Sequence, residues 1–137
     1  MGETLSKLRV RYVETDQMGV VHHSSYLAWL EVARTEYLRA RGIPYRVLEE
    51  RGIRMPVLAV TARYLSPARY DDELVLKARL AEGNGLRFRF TYDILRETDG
   101  ARLWTAQTEH VATGLDGGPR RIPKELLALI GGNGDPR

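Results

Sequence analysis

One stretch limits what this chain can fold into more than any other. Between Ser25 and Arg41 the apolar residues fall into helical spacing, with Tyr26, Trp29, Leu30, Ala33, Tyr37 and Ala40 on one stripe. Leu27, Val32 and Leu38 widen that stripe beyond the width a surface helix carries. A helix apolar over so much of its circumference has to be wrapped rather than laid on a core. Ser24 or Ser25 is positioned to cap its start, and Gly42 to end it, with Pro44 just beyond. Tyr45 to Arg51 then predicts a short second helix.

No other segment spells out a long helix, so strands must do the wrapping. Leu8, Val10 and Tyr12 alternate with Lys7, Arg9 and Arg11, the pattern of a half-buried strand. Val57 to Leu65 is almost wholly apolar and reads as a central strand buried on both faces. Leu74, Leu76, Ala78 and Leu80 alternate with charged neighbours, as do Leu86, Phe88, Phe90, Tyr92 and Ile94. Asn84-Gly85, Asp99-Gly100 and Asp116-Gly117 punctuate the run as tight turns. Leu103 to Leu115 predicts the last long strand, and Pro123 to Ile130 a short terminal helix. The predicted class is therefore α+β: one long helix wrapped by a curved, mainly antiparallel five-stranded sheet. The 137 residues suit a single domain over 1–130, with 131–137 as a frayed tail. Such a sheet has an unpaired edge, and covering it implies a homodimer or homotetramer.

Composition narrows the chemistry. There are no cysteines, which removes disulfides, thiol nucleophiles and thiolate metal sites and suits a reducing cytoplasm. No segment approaches the ~20 apolar residues of a membrane span, and the first residues do not read as a signal peptide, so the expected location is cytoplasmic. The net charge is +3, from 21 basic and 18 acidic residues. Only Lys7, Lys77 and Lys124 are lysines, so 21 − 3 = 18 of the basic residues are arginines, whose forked donors suit phosphate. They are scattered rather than clustered, which argues against a nucleic-acid face. Arg87, Arg89, Arg120 and Arg121, near strand ends, are the candidates for phosphate contacts at the surface.

The candidate chemistry lies in the irregular segment from Glu14 to Tyr26. Asp16 is a carboxylate on a loop flanked by apolar residues, and Gly19 lets the backbone turn or approach a ligand closely. The segment runs into a helix N-terminus, whose free N–H groups favour developing negative charge. A carboxylate that attacks a carbonyl or activates water, next to such donors, suits acyl hydrolysis. A loop aspartate standing alone is more often a turn former or a helix cap. No Gly-x-Ser-x-Gly elbow and no phosphate-binding glycine loop is present. Glu31 reads as an ion-pair partner of Arg34. His22 reads as structural or exposed, and His110 as an ordinary strand residue.

Tyr12-x-x-x-Asp16-x-x-Gly19-Val20-Val21-x-His23-x-x-Tyr26-Leu27, followed by Glu31-x-x-Arg34-x-Glu36-x-Leu38-Arg39, resembles the 4-hydroxybenzoyl-CoA thioesterase family, and in particular its YbgC-type acyl-CoA thioesterases. Pro56-Val57, Tyr64-Leu65-x-Pro67-Ala68-Arg69-Tyr70-Asp71-Asp72 and Ile122-Pro123 extend the resemblance over roughly residues 6 to 130. It implies a hot-dog fold, a dimer-based and often tetrameric assembly, and hydrolysis of acyl-CoA with no metal and no cofactor. By position it implies that Asp16 is catalytic, as nucleophile or general base. It also implies that His23 supplies the helix-start N–H that polarises the thioester carbonyl, and that Tyr26 packs near the acyl pocket. Met18, Gly19 and Val20 complete the expected substrate contacts. Ser24-Ser25 stands where relatives carry an Asn or similar residue, so the form of the helix cap is open. So are the acyl group and the choice between CoA and an acyl-carrier protein. A non-hydrolytic acyl-CoA-binding module on the same fold is the alternative reading.

Overall fold

A computed structural model describes residues 2–131. Five strands form one antiparallel sheet: β1 (Glu3–Arg9), β2 (Val57–Tyr64), β3 (Glu73–Gly83), β4 (Arg87–Arg96) and β5 (Arg102–Val111), in the spatial order β1-β3-β4-β5-β2. The long helix α1 (His23–Ala40) lies over β1, β3 and β4. Two short helices follow, α2 (Tyr45–Glu50) and α3 (Lys124–Ile130). This is the α+β arrangement that the sequence predicts, a helix held in the hollow of a curved sheet.

The strands alternate as their composition requires. Leu74, Leu76, Ala78 and Leu80 of β3 and Phe88, Phe90, Tyr92 and Ile94 of β4 point to the helix side and are buried, with Leu80 opposite Phe90 and Leu76 opposite Ile94. They meet Tyr26, Trp29, Leu30, Ala33, Tyr37 and Leu38 of α1 in one core. Tyr37 also donates from its hydroxyl to the Ile130 carbonyl at 2.8 Å, tying α3 to the helix. Gly85, Gly100 and Gly117 carry positive φ at the predicted turns, where a side chain would be strained.

Five sequence expectations need correction. β1 stops at Arg9, and Tyr12 sits in a 3-10 turn (Tyr12–Glu14) where it is exposed, because the backbone bends once Val10 has entered the core. α1 begins at His23, so Ser24 and Ser25 lie inside its first turn and His22 occupies the cap position without a side-chain bond. β2 is an edge strand rather than a central one. It pairs only with β5, and all its residues are exposed, because α1 does not extend over it. Leu27 and Val32 are 51% and 41% exposed, so the sheet wraps one side of α1 only. Among the described residues Glu31 makes no ion pair with Arg34, whose guanidinium instead donates to the Tyr92 hydroxyl at 3.3 Å. Of the expected tail, only Gly131 is described, as the left-handed C-cap of α3.

A buried polar chain crosses the core from this arginine. The Tyr92 hydroxyl is 2.6 Å from Thr108 Oγ1, Thr108 Oγ1 is 2.8 Å from His110 Nε2, and His110 Nδ1 is 3.1 Å from the Met55 carbonyl. A carbonyl can only accept, so Nδ1 carries the proton and Nε2 accepts from Thr108. The threonine oxygen then accepts from Tyr92, which accepts from Arg34. Burial drives the His110 pKa down from 6.5 to about 4. The unfolded chain therefore takes up the proton first. Unfolding free energy should hold above pH 6.5 and fall as pH drops from 6.5 towards 4, by up to about 1.4 kcal/mol per pH unit. Glu14, the other buried group with a lowered pKa, acts only below 4.5. Urea titrations across pH 7 to 4.5 should show this slope in the natural chain and its loss in His110→Ala. An equal slope in both would contradict a buried neutral imidazole.

Candidate active site

The candidate loop is built on Glu14. Its carboxylate is buried and accepts from the Arg11 backbone N–H at 2.7 Å, the Trp29 indole N–H at 2.9 Å and the Arg11 guanidinium at 3.3 Å. Burial alone would raise its pKa, but these donors outweigh it and hold the carboxyl below its ordinary value. The Glu14 carbonyl accepts the His22 N–H at 2.9 Å. One residue thus ties the end of the 3-10 turn both to the middle of α1 and to its cap position.

Between these anchors the chain closes a tight turn. The Asp16 N–H donates to the Val20 carbonyl at 2.9 Å and the Gly19 N–H to the Asp16 carbonyl at 3.0 Å, with Gly19 at φ +80°. Asp16 Oδ1 accepts from the Met18 N–H at 2.8 Å and the Val20 N–H at 3.3 Å. Among the described residues nothing donates to Oδ2. One carboxylate oxygen orients the side chain, and the other is uncommitted. Asp16 is both the turn former and a candidate reactive group.

The start of α1 supplies the complementary charge. The His22 N–H is used by Glu14, and the Ser25 N–H turns back to the His22 carbonyl at 3.0 Å. The N–H groups of His23 and Ser24 have no acceptor among the described residues and stand at the positive end of an 18-residue helix. Asp16, His22, His23 and Tyr26 line one open cleft of about 790 Å³, whose opposite wall is Tyr64 to Pro67. That wall is pinned in place. The Val21 N–H donates to the Ala68 carbonyl at 2.9 Å, and the Ala68 N–H donates to the Tyr26 hydroxyl at 3.3 Å. Arg96 holds the Pro67 carbonyl at 3.1 Å and Asp72 at 3.3 Å. Tyr26 packs on Trp29, Tyr64 and Trp104, giving the cleft an aromatic floor.

The structure thus brings Asp16, His23 and Tyr26 together. Met18, Gly19 and Val20 belong to the same turn but do not line the cleft, and Met18 is 80% exposed. Arg87, Arg89, Arg120 and Arg121 are not near Asp16 within one protomer. Arg87 lies opposite Val111 at the end of the sheet where β2 begins, whereas the cleft lies where β2 ends. Arg89 pairs with Glu82, and Arg120 and Arg121 reach the carbonyls of Gly52 and Asn84. No three His, Cys, Asp or Glu side chains are grouped to hold a metal ion among the described residues. Sequence reading missed Glu14, although a lone acidic residue two positions before Asp16 and fifteen before Trp29 was visible. It also missed Arg96, whose partners are distant in sequence.

Residues 10–130 match the model of the thioesterase-like superfamily. The acyl-CoA thioester hydrolase YbgC of Escherichia coli O6:H1 is 34% identical over 122 residues, covering 88% of this chain and 90% of that protein. The crystal structure of a hypothetical protein from Thermus thermophilus is 36% identical, with a TM-score of 0.88 over 95% of this chain and 96% of that one. The 4-hydroxybenzoyl CoA thioesterase of Pseudomonas sp. strain CBS-3, at 24% identity, shares the fold, with a TM-score of 0.83 over 93% of this chain and 98% of that one.

The geometry makes Glu14 the support of the loop. Glu14→Ala would leave the Trp29 indole and the Arg11 amide without their acceptor and should destabilise the fold by about 2 kcal/mol in urea unfolding. Hydrogen exchange at the His22 amide should quicken. A change within about 0.5 kcal/mol, the range of an ordinary surface substitution, would show that the loop is held otherwise.

Proposed function

The chain belongs to the thioesterase-like superfamily, and on that footing we propose that it hydrolyses acyl-CoA thioesters to a free acid and CoA. It is an enzyme of thioester hydrolysis. The observation that carries the assignment is one cleft that holds a carboxylate with an uncommitted oxygen and is lined by His23, at a helix start whose first two N–H groups are unpaired among the described residues. The thioester carbonyl oxygen sits against the N–H groups of His23 and Ser24, which stabilise the negative charge that develops there. Asp16 Oδ2 then either takes a proton from a water that attacks the carbonyl carbon, or attacks that carbon itself to form an acyl-aspartyl anhydride that a water afterwards hydrolyses to free acid and aspartate. The C–S bond breaks, and the sulfur leaves as a thiolate, a leaving group good enough to need no strong acid. Tyr26 packs beside the acyl group, and Met18, Gly19 and Val20 form the outer lip.

The working unit is a dimer built on β2. This strand has an unpaired backbone edge, and Val57, Val60 and Tyr64, on the helix side of the sheet opposite His110, Thr108 and Trp104, remain exposed. Pairing two β2 strands satisfies the edge and covers those side chains. In that pairing Arg87, Arg89, Arg120 and Arg121 of one protomer come to the side of the other's cleft, where CoA phosphates need partners. No helix is long and apolar enough to cross a membrane. A CoA-linked substrate and a cysteine-free chain suit the cytoplasm.

Two measurements test this reading. Light scattering at micromolar concentration should give at least twice 15.6 kDa, and a clean monomer would contradict the dimer. For the chemistry, Asp16→Asn keeps an oxygen for the Met18 and Val20 N–H groups but removes the charge. Its kcat for thiol release from acyl-CoA should fall by about 10²-fold or more while its circular dichroism is unchanged. A rate within about threefold of the natural enzyme would leave Asp16 as a turn former only.

A further inference from the structure

The wall opposite Asp16 runs on into a strap of chain, Pro67 to Asp72, that carries little apolar packing of its own. Ala68 is buried, but Arg69, Tyr70 and Asp71 are exposed. Asp71 also stands at φ +69°, in the left-handed region that favours glycine. Burial does not hold such a segment, so polar bonds must. The active-site loop nevertheless rests on it. Arg69 stands opposite Val20 in a short antiparallel bridge. The Val20 carbonyl accepts the Asp16 N–H, and the Val20 N–H donates to the Asp16 carboxylate. A slip of the strap is therefore passed to that carboxylate through one residue.

Arg96, at the end of β4, holds the strap from its far side. Each of its guanidinium nitrogens has its own acceptor: Nε the Asp72 carboxylate at 3.3 Å, Nη2 the Pro67 carbonyl at 3.1 Å and Nη1 the Asp99 carboxylate at 2.9 Å. Pro67 and Asp72 are the first and last residues of the strap. The Asp72 oxygen that meets Nε also accepts the Arg69 N–H at 2.9 Å. The guanidinium is thus two bonds away from the residue that faces Val20. Asp99 lies in the turn between β4 and β5, where its other oxygen accepts the Ala101 N–H at 3.0 Å, and it ties the guanidinium to its own hairpin. The Arg96 and Asp72 side chains are only 20% and 22% exposed, so solvent screens this pair less than a surface pair. A lysine would offer one compact ammonium in place of the planar fork that reaches these acceptors.

We propose that Arg96 is a positioning residue for the hydrolysis: by clamping Pro67 and Asp72 to the β4–β5 hairpin it fixes the strap and, through Val20, the direction in which Asp16 presents its uncommitted oxygen. It does so without lining the cleft itself. Pro67 belongs to the cleft wall and Arg69 supports Val20, so one guanidinium sets both sides of the gap in which the thioester carbonyl lies. A reacting group displaced by about 1 Å can lose about 10²-fold in rate even when the change is far from the chemistry. This proposal rests on the thioesterase reading and on Asp16 as its reactive carboxylate.

The test is a pair of Arg96 variants assayed by thiol release from acyl-CoA. Arg96→Met keeps an unbranched stem and removes every donor. Its kcat should fall about tenfold or more while KM stays within about twofold, because alignment is lost and ligand contacts are not. Arg96→Lys keeps the charge beside Asp72, and with it the fold, but loses the fork. Its kcat should fall about threefold or more, to a value between those of the natural enzyme and Arg96→Met. If Arg96→Met fails to fold by circular dichroism, Arg96→Lys takes its place throughout. A double-mutant cycle with Asp16→Asn separates positioning from a purely structural role. An arginine that acts through the Asp16 carboxylate has little left to align once that charge is gone, so the Arg96 substitution should change the residual rate of Asp16→Asn by about twofold at most. A loss under about threefold in both Arg96 variants, or the same fold loss with and without the Asp16 charge, would overturn the proposal while hydrolysis by the natural enzyme stood. Absence of hydrolysis of any acyl-CoA by the natural enzyme would overturn the thioesterase reading and this proposal with it.

Discussion

Everything at the cleft depends on where α1 begins. The His22 N–H is spent on the Glu14 carbonyl, so the helix opens at His23 with its next two N–H groups uncommitted. The same Glu14 fixes its carboxylate on Trp29, nearly two turns further along the helix and inside the core. The apolar packing of α1 on β1, β3 and β4 is thereby transmitted to a polar loop that has no core of its own. A short polar loop fixed at both ends can hold a carboxylate against a helix terminus without large motion, which is what preorganised electrostatic catalysis needs.

The second constraint is an incompleteness. α1 covers only part of the sheet, and β2 presents an unpaired edge and an apolar face on the uncovered side. The Asp16 cleft lies at the Tyr64 end of that strand.

The fold was largely legible in the sequence because its signals are local. The 3.6-residue period of Tyr26, Trp29, Leu30, Ala33 and Tyr37 and the Asn84-Gly85, Asp99-Gly100 and Asp116-Gly117 turns depend on neighbours a few residues away. The place of β2 was not legible. An apolar run buried by its own chain and one left for a second copy have the same composition, so Val57 to Leu65 read as a central strand. The helix start was misread because Ser24 and Ser25 are good caps locally, while the group that determines the start is the Glu14 carbonyl, eight positions before His22. Asp16, His23 and Tyr26 were named together because the family resemblance is carried by the one short segment, residues 16–26, that holds all three. His110 read only as an ordinary residue of the last strand, because the groups that complete its polar chain, Tyr92, Met55 and Arg34, come from three other segments and meet it only on folding.

The central claim is that the N-terminus of α1 polarises a thioester carbonyl held in front of Asp16. Infrared difference spectroscopy tests this with acyl-CoA labelled with carbon-13 at the carbonyl, bound to Asp16→Asn so that turnover is slow. Hydrogen bonds from the His23 and Ser24 N–H groups weaken the C=O bond. The account therefore requires the carbonyl band of the bound thioester to move to lower frequency than that of free acyl-CoA in water. A bound ligand whose carbonyl band matches the free one, or lies above it, would mean that the helix terminus does not hold the thioester and would contradict the account.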